Sequence, residues 1–136
     1  MYNKYIIIIT AEKKEKYISK TIKSCLNQRS CKKLRVIVVY TKLSNEKFVK
    51  NEFIKFKNVI FLKCKIKKKL PTQDQLFKIE KATKYIKDEW VLLLDGDDLF
   101  KLNKIFSLDK LKLKKDLIYM NDHSIINKNL LSSSSN

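Results

Sequence analysis

Short β-branched apolar runs alternate along this chain with longer stretches in which apolar residues recur every three or four positions. Residues 5–10 (YIIIIT) form the first run, and Tyr17, Ile18, Thr21, Ile22, Cys25 and Leu26 then share one face of a helix. Residues 34–40 predict a second strand, 48–56 a helix and 59–62 a short third strand. Residues 63–70 are a basic connector, and Pro71 suits the start of a helix with apolar positions at Leu76, Ile79, Ala82 and Ile86. Residues 90–94 predict a fourth strand, and a helix bearing Leu102, Ile105, Phe106, Leu108 and Leu111 follows. Residues 117–120 complete a fifth strand. Such alternation implies an α/β fold, a largely parallel sheet with flanking helices. The expected organisation is one domain over residues 1–129, followed by a disordered low-complexity tail over residues 130–136 that contains SSSSN.

One junction stands out, WVLLLDGDDLF, where the apolar run of the fourth strand stops at Asp95, Asp97 and Asp98. The run does not alternate, which predicts a strand buried on both faces of a parallel sheet. In open α/β sheets ligands sit beyond the carboxyl ends of the strands, where these carboxylates fall. Two carboxylates flanking Gly96 can face a common point and suit a hard cation such as Mg²⁺ or Mn²⁺, whose shell would be completed by water and substrate phosphates. The plainer alternative is that Asp97 or Asp98 caps a helix beginning near Lys101, with Asp95 as turn chemistry. An EF-hand is excluded, because Phe100 and Phe106 stand where its loop needs Gly and Glu.

Composition narrows the picture. Hydrophobic residues make up 44% of the 136, which argues for a folded domain despite the charge. The apolar run near the start is far shorter than the ~20 residues of a membrane helix, and nothing resembles a cleavable signal. The expected location is therefore the cytoplasm, with Cys25, Cys31 and Cys64 reduced. Their spacing fits no zinc pattern, and Cys25 and Cys64 sit among apolar residues as core packing. The net charge of +17 draws attention to nucleic acid and anionic membrane as partners. Arginine occurs only at Arg29 and Arg35, however, and the lysines are dispersed, so nucleic acid is disfavoured. Richness in Lys, Ile and Asn is also what an AT-rich coding sequence produces. Positive potential would still attract phosphorylated substrates and allow peripheral contact with anionic membrane.

Three segments together resemble the family 2 glycosyltransferases of the GT-A fold. IITAEKKEKYISKTIKSCLNQ resembles that family's first strand, nucleotide-facing loop and first helix, closing in a Ser-x-Leu-x-Gln signature at Ser24, Leu26 and Gln28. LLLDGDD resembles its Asp-x-Asp motif with an additional Asp, and DLIYMND resembles the strand that follows. The resemblance implies a Rossmann-like GT-A sheet, a nucleotide-diphospho-sugar donor, a bound Mn²⁺ or Mg²⁺, and transfer of the sugar to an acceptor hydroxyl. It places Asp95 near the ribose and metal and Asp97 on the metal, with Asp98 behind them or as a cap. Thr10, Ala11 and Glu12 match the loop lining the base and ribose.

The departures from that pattern are specific. The family's Asp after the second strand is missing from VVYTKLSNE. In PTQDQLFKIEKA, Gln75 stands near the position of an Arg that the family tends to carry. Lys78, one turn on, either supplies charge to a phosphate or is one solvated lysine among many, the reading favoured here. The later segment that carries the family's general base and acceptor pocket is not represented, so the expectation is a donor-binding part truncated on its C-terminal side. Asp122 and His123 are not assigned as a base. Two other functions compete: a phosphatase of the haloacid dehalogenase type, whose Asp-x-Asp also follows an apolar strand, and a non-catalytic basic domain that binds nucleic acid or anionic membrane.

Overall fold

A computed structural model describes residues 4–12, 17–28, 33–96, 98–101 and 104–110. The elements are β1 (Tyr5–Ala11), α1 (Ile18–Leu26), β2 (Leu34–Tyr40), α2 (Glu46–Glu52), β3 (Val59–Lys63), α3 (Pro71–Thr83), β4 (Trp90–Asp95) and α4 (Lys104–Lys110). The described strands form one sheet in the order β3-β2-β1-β4, each pair parallel. The expected α/β class with a parallel sheet is thus observed. The fifth strand, Asp122, His123 and the tail lie outside the described residues.

Side-chain alternation divides the core into two layers. Tyr5, Ile7, Ile9 and Ala11 of β1 join Val36, Val38 and Tyr40 of β2 in a layer closed by Ile18, Ile22 and Cys25 of α1, Val49 of α2, and Ile105 and Leu108 of α4. Ile6 and Ile8 join Ile37 and Val39 in the opposite layer, closed by Ala82 of α3. Every residue of β1 is buried, because it has a strand on either side and helices above and below. That position suits an almost unbroken run of Ile, whose branched side chains pack well on a pleated surface. Cys25 and Cys64 are buried free thiols, as expected of core packing. Burial pushes the Cys25 thiol up to about 12.

Three expectations are corrected. The fourth strand is not buried on both faces: Val91 is 39% and Leu93 55% exposed, while Trp90, Leu92 and Leu94 pack into the α1 layer. The reason is that α3 lies over β1 and β2 and leaves the same face of β4 uncovered among the described residues. The second correction concerns α3 itself. Leu76 is 61% exposed, and the buried positions are Asp74, Lys78 and Ala82. Ala82, Ile79 and Ile86 face the core layer as the periodicity predicts, but it misses Asp74 and Lys78 because both carry charge. The helix predicted over 48–56 is also shorter and earlier, Glu46–Glu52, with Phe48 70% exposed.

At the opposite end from the acidic junction, Arg35 closes the turn between α3 and β4. Its Nε and one terminal nitrogen donate to the two Glu89 carboxylate oxygens at 2.8 and 2.7 Å, and that nitrogen also donates to the Tyr85 carbonyl. The Arg35 hydrogen bond holds the Glu89 carboxyl below the usual range.

Candidate functional site

The strand order reverses direction between β1 and β4, since the chain proceeds from β1 outward to β3 and then returns to the other side of β1. At such a switch point the loops beyond the carboxyl ends diverge and leave a crevice. Thr10 and Asp95 are register partners at the mouth of this crevice. Gln75, on the first turns of α3, joins them: its side-chain nitrogen donates to Asp95 Oδ1 at 2.7 Å and to Thr10 Oγ1 at 3.4 Å. Three of the residues singled out in the sequence therefore meet.

Two more meet a turn further along α3. The Lys78 ammonium is 2% exposed and donates both to Glu12, just beyond β1, and to Asp74, one helical turn before it. Asp74 Oδ1 also accepts the Lys68 backbone N–H at 2.9 Å, which ties down the connector. Burial alone would raise the Asp74 carboxyl, but the hydrogen bonds from Lys78 and the Lys68 N–H, with the Lys78 charge, hold it below its usual range. Burial alone would lower the Lys78 ammonium, but hydrogen bonds to Asp74 and Glu12 raise it. Lys78 is thus not a solvated lysine, and its charge is committed to two carboxylates. A buried cation requires such partners, since an unpaired one would be too costly.

The other wall of the crevice comes from α1 and is neutral. Gly96 N–H donates to the Thr10 carbonyl at 2.9 Å, and the Gly96 carbonyl accepts the buried Thr21 hydroxyl at 2.8 Å. Asp98 N–H donates to the Asp95 carbonyl at 3.0 Å, closing the turn after β4. Ser24 Oγ accepts the Phe100 N–H at 3.2 Å. Gln28 is 7% exposed and donates to the Ser24 and Lys101 carbonyls at 2.9 and 2.7 Å, while its oxygen accepts the Ile105 N–H at 2.9 Å. The Ser and Gln of the signature at the end of α1 therefore hold the segment after the acidic junction and the start of α4. Sequence reasoning missed Thr21 and Asp74, whose polar side chains gain a role only from what the fold puts opposite them.

Of the other predicted residues, Ala11 directs its methyl group into the α1 layer, so only its backbone borders the crevice. Asp97 lies outside the described residues. Thr41, directly after β2 where the resemblance expects an Asp, has a buried hydroxyl with no hydrogen-bond partner among the described residues. For a divalent cation, the described carboxylate at the end of β4 is Asp95, whose Oδ1 is engaged by Gln75. Among the described residues no group of three or more His, Cys, Asp or Glu is placed to hold a metal. A cation here would rely on Asp95, a neighbouring carboxylate and the ligand's own oxygens, the usual arrangement for Mg²⁺.

Solved structures share this architecture. TarS 1–349 of S. aureus, a family 2 glycosyltransferase, superposes with a TM-score of 0.63 at 20% identity, over 77% of this chain and 31% of that one. The fold is the GT-A fold. TarS 1–349 in complex with UDP gives a TM-score of 0.62 at 20% identity, over 77% of this chain and 30% of that one. Its complex with UDP-GlcNAc gives 0.61 at 23% identity, over 78% and 29%. The chain thus spans under a third of these GT-A relatives' length. No protein-family model matches the sequence, and no curated protein matches it.

Proposed function

We propose that this chain carries the donor-binding part of a metal-dependent glycosyltransferase, which transfers a sugar from a nucleotide-diphospho-sugar to an acceptor hydroxyl. The observation that carries the reading is the meeting of Thr10, Gln75 and Asp95 at the switch point of a GT-A sheet. Structural neighbours solved with UDP and UDP-GlcNAc support a uridine nucleotide as the donor's leaving group.

In this reading Asp95 and Asp97 hold Mn²⁺ or Mg²⁺ beside the diphosphate. When bound, the metal neutralises charge that grows on the departing nucleotide. Gln75 fixes the Asp95 carboxylate in one orientation, leaving Oδ2 to face the ligand. Thr10 and the backbone of Ala11 border the ribose. Lys78 does not reach a phosphate itself but holds Glu12 against α3, setting the loop that follows β1.

Calorimetric titration of UDP, GDP and their sugar conjugates, with Mn²⁺ at moderate salt, tests the proposal. Saturable binding that requires both the metal and the Asp95 and Asp97 carboxylates supports it, with Asp95→Asn and Asp97→Asn each weakening binding at least about tenfold. A folded protein that binds no nucleotide, or binds equally well without metal, would remove the enzyme reading. The basic-domain alternative predicts binding that collapses as salt rises and ignores both substitutions.

A further inference from the structure

The connector between β3 and α3 combines two features that the donor site does not use. Ile66 and Leu70 are 58% and 57% exposed, and the residues around and between them are Lys65, Lys67, Lys68 and Lys69. Lys67 pairs with Glu12 at 3.5 Å, and Lys68 lies over the Phe77 ring at 4.8 Å. Lys65 and Lys69 meet no carboxylate among the described residues. Beside the connector is a cleft of about 360 Å³ with Ile66, Phe77 and Tyr85 on its apolar walls and Lys65, Lys81 and Lys84 around it. No acidic residue lines that cleft.

From this pairing of outward aliphatic groups with uncompensated lysines, we infer that residues 65–70 and the adjoining cleft form a docking element for the surface of an anionic phospholipid membrane. The charge pattern calls for an anionic partner, and the aliphatic tips decide which one. A nucleic acid backbone would satisfy the lysines but offers Ile66 and Leu70 nothing to bury against. At the headgroup boundary of a bilayer, both side chains leave water for acyl carbon while the lysine ammoniums stay with lipid phosphates. The cleft suits the same chemistry, an anionic head over an apolar floor. The connector is anchored to the protein by the Lys68 N–H on Asp74, so a docked surface would lie beside the crevice at the end of β1. The inference stands whether or not the crevice binds a nucleotide.

Co-sedimentation of the full chain with phosphatidylcholine vesicles, with and without phosphatidylglycerol, tests it. Binding should require the anionic lipid and weaken with salt. Lys65→Gln with Lys69→Gln should lower the partition constant by roughly 25-fold, at about five-fold for each lysine near an anionic surface. Ile66→Asn with Leu70→Asn should lower it at least about tenfold without lowering the melting temperature, since both side chains are more than half exposed in the folded chain and Asn is a favourable residue at the start of α3. Absence of binding to anionic vesicles overturns the inference, as does equal binding to neutral ones. So does an Asn double variant that binds like the parent, or displacement of the parent from vesicles by duplex RNA, which would assign the surface to nucleic acid.

Discussion

The two walls of the crevice hold neighbouring strand ends, those of β4 and β1, by opposite chemistry. On the α1 side, Thr21, Ser24 and Gln28 hold backbone groups of residues 96–105 through neutral hydrogen bonds that are buried or part-buried. On the α3 side, Lys78 sits between the carboxylates of Glu12 and Asp74. Neutral bonds between side chain and backbone fix geometry with little dependence on pH or salt. A buried ionic cluster is costly to assemble and depends on the charge state of every member. The acidic junction is therefore held by a passive clamp, while the loop after β1 is held by one that responds to charge.

The largest expected effect comes from breaking the charged wall. Lys78→Met should cost about 3–5 kcal/mol in denaturant unfolding, because it leaves Asp74 buried with its main partner gone. Adding Asp74→Leu to that variant should restore part of the loss, since removing both charges avoids an unpaired one. A cost below about 1 kcal/mol for Lys78→Met would mean that the cluster is hydrated rather than buried.

Breaking the neutral wall should cost less. Gln28→Ala strands the Ile105 N–H and the Lys101 carbonyl, for roughly 2–3 kcal/mol in the same measurement. Comparing the two costs at different pH sharpens the contrast. The Asp74 carboxyl is held below its ordinary 3.8, so its stabilising contribution is fully present above that value and is lost as pH falls through the lower folded-state value. The Lys78 ammonium is held above 10.5, so its contribution is present below that value and is lost as pH rises through the higher folded-state value. The cost of Lys78→Met should therefore shrink at about pH 3 relative to neutral pH, while that of Gln28→Ala stays constant. Equal pH dependence of the two costs would erase the distinction.

The smallest effect is expected at the mouth of the crevice. Gln75→Ala should change stability by less than about 0.5 kcal/mol, because it removes a contact of a partly exposed side chain. By freeing the Asp95 carboxylate to rotate, it should nevertheless weaken nucleotide binding about five-fold, the value of one hydrogen bond. Unchanged affinity would show that Asp95 needs no orienting partner.

Much of this was legible in the sequence. Strands β1 to β4 and their helices follow from runs and periodicities strong enough to survive the lysine-rich background. Asp95 announced itself by ending an apolar strand. The buried face of α3 was not legible, because Asp74 and Lys78 read as solvent-facing until Glu12 is placed opposite them. The uncovered side of β4 was also hidden, since Val91 and Leu93 look like core residues and only the position of α3 over β1 and β2 shows that nothing described covers them. Ser24 and Gln28 could be quoted as a signature, but their job as a clamp on the acidic junction appears only when residues more than seventy positions apart are brought together.

The central claim is that a metal and a nucleotide diphosphate meet at the carboxyl ends of β1 and β4. Amide NMR spectra recorded with UDP and substoichiometric Mn²⁺ locate the ion directly, because paramagnetic broadening falls steeply with distance. The account predicts that the signals of Thr10, Gln75, Asp95 and Gly96 broaden first, and that the broadening requires UDP and disappears in Asp95→Asn. Broadening spread over the surface, or centred away from these residues and unchanged by the substitution, would contradict it.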